Sequence, residues 1–163
     1  MKICISVSRG GHLDQLLQII ESFEGHDIFF LTVESEMTSN LNKNYNVHFV
    51  RKYFSEENDF LGKKPFNIIS LIIYQIYVII PSLIILIKEN PNLIVCNGGE
   101  ASIAISYIGK IFGKKIMYLE SLTRIKELSL TGKIIYPIAN IFLVQWEDLL
   151  EKYKKAKYWG RVI

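Results

Sequence analysis

The residues that announce a cofactor or a metal are scarce in this sequence. Its two cysteines, Cys4 and Cys96, stand far apart, each inside an apolar run. They form no CxxC pair, and both read as buried thiols of a reducing compartment. The three histidines, His12, His26 and His48, are scattered without metal-ligand spacing. The sequence has no GxxxxGKS/T loop, no GxGxxG fingerprint and no Ser/His/Asp elbow, so neither a cofactor nor a metal is expected.

Charge is scarce too. Only 21% of the 163 residues are charged, and the formal net charge is +3. That balance is too weak to argue for nucleic acid, and no basic stripe with interleaved aromatics occurs. It does suit a phosphorylated ligand or an anionic membrane face. There is no repeat and no low-complexity segment. The opening "MKICISVS" is a strand pattern rather than a leader, which sets a cytoplasmic expectation.

What the chain does have is apolar residues in strand-length and helix-length runs. Half of it is hydrophobic, enough for one domain with its own core. Lys2–Val7, 27–33, 46–52, 92–97, 114–120 and 140–145 read as strands, with a short last one at 156–160. Helices are predicted over 11–23, 100–112, 132–139 and 147–155. Pro137 bends or ends the third of them. A short polar linker joins the second and third strands, and a loop covers 55–65. This alternation, with continuous apolar strands, predicts a doubly wound, mostly parallel α/β sheet covered on both faces.

In such sheets ligands bind beyond the carboxyl ends of the strands, where the strand order reverses. The usual order puts that point between the first and fourth strands, which are followed by "SRGGHL" and "NGGEAS". Two glycine pairs, Gly10–Gly11 and Gly98–Gly99, would thus meet at one crevice, each opening a helix. Helix N-termini present unpaired N–H groups and a partial positive charge, so an anion is the natural guest. Ser8 and Asn97 flank the two pairs. A glycine pair after a strand can equally be only a tight turn. Glu34, at the end of the second strand, imitates a ribose-binding acid, but the glycine spacing for a dinucleotide is missing.

Two residues stand out as candidate acid–base groups. His12 falls in the first turn of a helix, where the dipole disfavours added positive charge and suits a proton-accepting imidazole. The bland alternative is a capping or surface histidine. Glu120 ends the fifth strand and is expected to point into the same crevice, with Ser121 and Arg124 just beyond. A carboxylate there is costly unless paired or solvated. Glu100 opens the helix after the fourth strand, where an acid simply favours the helix start.

The stretch from Pro65 to Ile87 has no charge between Lys64 and Lys88. Its length qualifies it as a transmembrane span. Spanning, however, would separate the first three strands from the fourth across a bilayer. The expectation is a helix at about 66–87 that packs on the sheet with one face and dips into the inner leaflet with another. Lys63, Lys64 and Lys88 would then meet anionic head groups.

"SRGGHLDQLL", the long run from "NPNLIVCNGGEAS" through "ESLTRIKELSLTGK" to "FLVQW", and the closing "YWGRVI" together resemble one family. It includes the membrane-associated subunit of the eukaryotic two-piece UDP-N-acetylglucosamine transferase acting on dolichol pyrophosphate. It also includes the PssD-type proteins of bacterial capsule and exopolysaccharide synthesis, the branch this length resembles. "GGH" and "NPNLIVCNGGEAS" are more distantly similar to the acceptor-binding half of MurG, the lipid II-forming transferase. The resemblance implies the N-terminal half of a GT-B glycosyltransferase. Only 17 residues follow Trp146, so a separate donor-binding subunit is expected to supply the other half.

The resemblance further implies that the anion is the diphosphate of a polyprenyl-linked sugar acceptor. Ser8, Gly10, Gly11, Asn97, Gly98, Gly99, Ser121 and Arg124 would bind it, and His12 and Glu120 would be the catalytic candidates. Trp159, Arg161, Val162 and Ile163 would dock the partner subunit. Val162 and Ile163 lie beyond Gly160, with little chain left to bury them. Two other classes stay open at this point: a membrane scaffold whose loops do no chemistry, and a stand-alone nucleotide-binding enzyme.

Overall fold

The computed structural model describes residues 1–8, 10–50 and 68–162, with backbone alone for 68–74 and Glu100. Among the described residues there are seven strands: β1 (Lys2–Val7), β2 (Asp27–Val33), β3 (Asn46–Val50), β4 (Leu93–Asn97), β5 (Lys115–Leu119), β6 (Ile141–Val144) and β7 (Lys157–Tyr158). They form one sheet in the order β3-β2-β1-β4-β5-β6-β7, and every pairing is parallel. The strands are apolar on both sides because both sides are covered. Ile3, Ile5 and Val7 join one core cluster, whereas Cys4, Phe29 and Leu31 join the other.

The helices are α1 (Gly11–Gln18), α2 (Glu36–Ser39), α3 (Ile68–Glu89), α4 (Glu100–Ile111), α5 (Leu130–Ile135) and α6 (Leu149–Lys152). The helix expected over 11–23 breaks in two, because Ile19 caps α1 and residues Ile20–Phe23 tighten into a 3₁₀ turn. The β-branched pair Ile19–Ile20 sits at that break. The expected linker after β2 instead holds α2, started by a capping box between Ser35 and Thr38. α5 begins earlier than expected, since Ser129 caps it by accepting from the Gly132 N–H, and it ends before Pro137. α6 is shorter than the 147–155 prediction, and β7 is two residues long.

α3 begins its described course at Ile68 and runs unbroken through Pro81. Val78, Ser82, Ile85 and Leu86 are buried, on the face turned to the domain. Ile76, Ile80, Ile84 and Ile87 recur at helical spacing on the other side and are 61%, 66%, 60% and 61% exposed. Ile111 and Phe112, at the end of the neighbouring α4, are exposed as well. Among the described residues no helix is long and apolar enough to cross a membrane. β3 and β4, on either side of α3 in the chain, also belong to the same sheet. The expected loop 55–65, Lys63, Lys64 and the helix start at 66–67 lie outside the described residues.

At the end of the sheet where strands begin, Glu89 closes α3 and is nearly buried. Its carboxylate pairs with Lys2 Nζ at 2.7 Å and accepts from His48 Nε2 at 2.9 Å. The Lys2 ammonium, chiefly, holds this carboxyl below its ordinary range against the opposing effect of burial. Cys4 and Cys96 are buried free thiols, as the apolar runs around them predict.

Candidate functional site

β1 and β4 are neighbours in the sheet, so the order reverses between them, and both hand over to glycine pairs at the same end. Gly10, at φ +72°, caps α1, and Gly99, at φ +90°, caps α4. Neither helix start carries a side-chain cap. Leu13 N and Ser102 N donate to the carbonyls of the capping glycines Gly10 and Gly99, so the N–H groups left to face an anion are those of the first two residues of each helix. Gly98 and Gly99 are required on two counts. Both adopt positive φ, and a Cβ on Gly99 would lie 2.8 Å from Ser8 Cβ and 2.9 Å from Ser8 N. The two loops pack backbone to backbone.

His12 lies over Gly98, whose added Cβ would sit 2.9 Å from the imidazole Cε1. Its Nδ1 donates to the Asn97 side-chain oxygen at 2.9 Å. The Asn97 amide is oriented by its own nitrogen, which donates to the His12 carbonyl at 3.3 Å. In a neutral ring this makes Nε2 the accepting nitrogen. Asn97 is fully buried at the end of β4, so the imidazole is tied to the sheet and not only to its helix. The sequence placed Asn97 among acceptor ligands; the structure makes it the partner of His12. Ser8, His12, Asn97, Gly98 and Gly99 thus come together at one point.

Glu120 corrects an expectation. Along β5, Tyr118 belongs to the cluster under α4 and α5, and Leu119 belongs to the cluster under α1. Strand alternation therefore turns Glu120 to the Tyr118 side, away from His12. Its carboxylate is 0% exposed. One oxygen accepts from the Ser121 N–H at 2.8 Å, and the other accepts from Ser129 N at 3.0 Å and Ser129 Oγ at 3.1 Å. A Cβ on Gly132 would run into that second oxygen, so α5 approaches Glu120 closely enough to need glycine there. Burial pushes the carboxyl above its ordinary value, while the bonds from Ser121 and Ser129 and the nearby Arg124 pull the other way. This is a buried anchor for the loop after β5.

Ser121 is buried, and its hydroxyl pairs with Thr123 at 3.0 Å. Arg124 is exposed on the same loop. At the carboxyl end of the chain Trp159 is 65% exposed. Val162, expected to lie exposed, is partly buried: it packs against the core cluster under α1, and its N–H donates to Gln145 Oε1 at 2.8 Å. The tail folds back along the end of β6 instead of projecting. Arg161 stacks its guanidinium 3.8 Å over the Trp146 ring. Ile163 lies outside the described residues. Gln15 and Gln145, bonded to each other at 2.7 Å, were not singled out from the sequence. The available signal was an amide directly after the apolar run "NIFLV". Among the described residues no group of three or more His, Cys, Asp or Glu side chains is placed to hold a metal ion.

The family described as "Oligosaccharide biosynthesis protein Alg14 like" matches residues 3–162. The chain belongs to the Alg14-like family. The UDP-N-acetylglucosamine transferase subunit ALG14 of Debaryomyces hansenii is 30% identical over 99% of this chain and 76% of its own length. The corresponding subunit of Schizosaccharomyces pombe is 49% identical over 77 residues, 44% of this chain and 37% of that protein. That alignment, like several others with Alg14 subunits, spans less than half of the relative. The fold is the GT-B-like one. Acinetobacter baumannii MurG superposes with a TM-score of 0.71 at 10% identity, over 99% of this chain and 45% of MurG. A UDP-GlcNAc 2-epimerase from Neisseria meningitidis gives 0.70 at 12% identity, over 99% and 46%. This Alg14-like chain therefore corresponds in fold to about half of each of those proteins.

Proposed function

We propose that this chain is the acceptor-binding, non-autonomous subunit of a two-piece sugar transferase of bacterial capsule or exopolysaccharide synthesis, of the PssD type. It takes a polyprenyl-diphosphate-linked sugar at the cytoplasmic face of the plasma membrane and recruits a separate donor-binding subunit that brings a UDP-sugar. The observation that carries this reading is the imidazole of His12, fixed by Asn97 between two glycine-capped helix starts at the switch point. The names of the Alg14 relatives, all transferase subunits, support the two-piece organisation. So does the correspondence to about half of MurG.

In this mechanism the N–H groups at the starts of α1 and α4 hold the acceptor diphosphate, aided by Ser8, Ser121 and Arg124. His12 Nε2 takes the proton of the acceptor hydroxyl as that oxygen attacks the anomeric carbon of the donor sugar. The bond to UDP breaks with inversion, and the UDP diphosphate carries away the electron pair. Glu120 holds the loop that carries Ser121 and Arg124. The exposed isoleucines of α3 rest in the inner leaflet, and Trp159 with the tail receives the partner.

Reconstitution tests this. The purified chain alone should transfer no sugar from a UDP-sugar to a sugar-diphospho-polyprenol, and addition of the donor-binding subunit should start the reaction. Turnover by the chain alone would refute the half-enzyme reading. Full activity of a His12→Ala pair would favour the scaffold alternative.

A further inference from the structure

Gln145, directly after β6, is fully buried, and both ends of its amide are bonded. The side-chain nitrogen donates to Gln15 Oε1 at 2.7 Å and to the Glu120 main-chain oxygen at 2.9 Å. The side-chain oxygen accepts the Val162 N–H at 2.8 Å, and the main-chain oxygen accepts from Arg161 Nε at 3.2 Å. Gln15 stands three residues after His12 on α1, on the same helical face. Its Oε1 also accepts from Leu122 N at 3.2 Å, in the loop after β5. One buried amide therefore touches the tail, the helix that carries His12, and the loop held by Glu120.

We propose that Gln145 is a positioning residue that couples the seating of the tail at Arg161 and Val162 to the placement of His12. The coupling follows from the chemistry of the amide. Its nitrogen faces two acceptors and its oxygen faces one donor, so it fits in only one orientation. Turning it over would set its oxygen against Gln15 Oε1 and the Glu120 carbonyl. An unmet buried amide is costly, so loss of the tail contact destabilises the orientation that also holds Gln15. A hydrocarbon side chain of equal volume would fill the space without linking the two ends. Trp146 adds a parallel route, since its indole nitrogen donates to the Leu122 carbonyl at 2.7 Å beneath Arg161. This inference rests on the proposed function only in assigning the tail to the partner and the proton to His12.

Hydrogen exchange on the full chain tests the coupling without any activity. Val162→Pro removes the N–H that Gln145 accepts. It should speed exchange of the α1 amides after His12 and of Leu122 to Arg124 by about threefold or more, leaving α2 and β3 unchanged. Changes confined to residues after Tyr158 would overturn the proposal. From the other end, Gln15→Glu keeps both acceptor bonds and should match the wild type, whereas Gln15→Leu should speed exchange at Val162. An effect of Gln15→Leu limited to α1 would also overturn it. In the reconstituted pair, Val162→Pro should lower kcat more than it raises the acceptor KM. A wild-type pair that transfers no sugar would defeat the two-subunit reading and leave the exchange result standing.

Discussion

The Nδ1 of His12 and the side-chain oxygen of Asn97 are 2.9 Å apart, so the start of α1 and the end of β4 are joined through one imidazole across the switch point. The bond fixes the ring's orientation and makes Nε2 its accepting nitrogen. His12→Ala in the reconstituted pair should lower kcat by ~10²–10⁴-fold, the range for a lost general base. Asn97→Ala leaves the imidazole but frees it to turn. Its kcat should fall by about tenfold, the scale of one positioning hydrogen bond. Steady-state kinetics beside a binding measurement for the partner subunit would separate both from a docking defect, because neither side chain lies in the tail.

Gly98 and Gly11 should respond differently to the same added methyl group. At Gly98 the backbone is in the left-handed region and the new Cβ would meet the His12 ring at 2.9 Å. Gly98→Ala should cost about 1–3 kcal/mol in urea unfolding and lower kcat through the displaced imidazole. A Cβ on Gly11 meets nothing within 4 Å. Gly11→Ala should leave the unfolding midpoint nearly unchanged and raise only the acceptor KM, by crowding the diphosphate's approach to the backbone.

Glu120 gives the pH dependence a definite sign. Burial raises its carboxyl above the ordinary value of 4.5 in the folded chain. The folded state therefore binds this proton more tightly than the unfolded state does. The associated stability is fully present below the unfolded value and is lost as pH rises through the folded one. Unfolding midpoints from pH 4 to 7 should show a decline that Glu120→Gln lacks when the two proteins are compared. Glu120→Ala should destabilise at every pH, by about 2–4 kcal/mol, because Ser121 and Ser129 lose their acceptor in a buried site. Identical slopes for wild type and Glu120→Gln would refute the assignment.

Ile76, Ile80 and Ile84 are solvent-exposed, so their replacement by serine should leave the fold intact. The triple variant should float less well with anionic vesicles than the wild type, while circular dichroism and unfolding midpoint stay the same. A single Leu86→Ser, placed in the core, should do the reverse: it should destabilise the chain by about 2–5 kcal/mol. Undiminished vesicle binding by the triple variant would place the membrane contact elsewhere.

The sheet was legible from the sequence because burial on both faces writes itself as unbroken apolar runs, such as "KICISV" and "NLIVC". The convergence of the two glycine pairs followed from strand order alone. What escaped was decided by direction and by distant partners. Glu120 stands one residue past the end of β5, and pleat alternation and the Ser129 cap turn it beneath α5, which nothing local to "YLES" reveals. Val162 seemed to have no chain left to cover it, because the cover comes from α1 and β6, far away in sequence. Gln15 and Gln145 are separated by 130 residues. Each looks like an ordinary polar residue until the fold sets one against the other.

The ion pair at the far end of the sheet has a directional consequence. Glu89 draws together the first residue of β1, the middle of β3 and the last turn of α3, and its carboxyl is held below the usual range. That contribution is present above its unfolded value and disappears as pH falls through the folded one. Glu120, at the opposite end, is relieved by the same protons. Acidification is therefore expected to weaken the tie between the strand origins, the β3 edge and α3, while it relieves the buried carboxyl after β5.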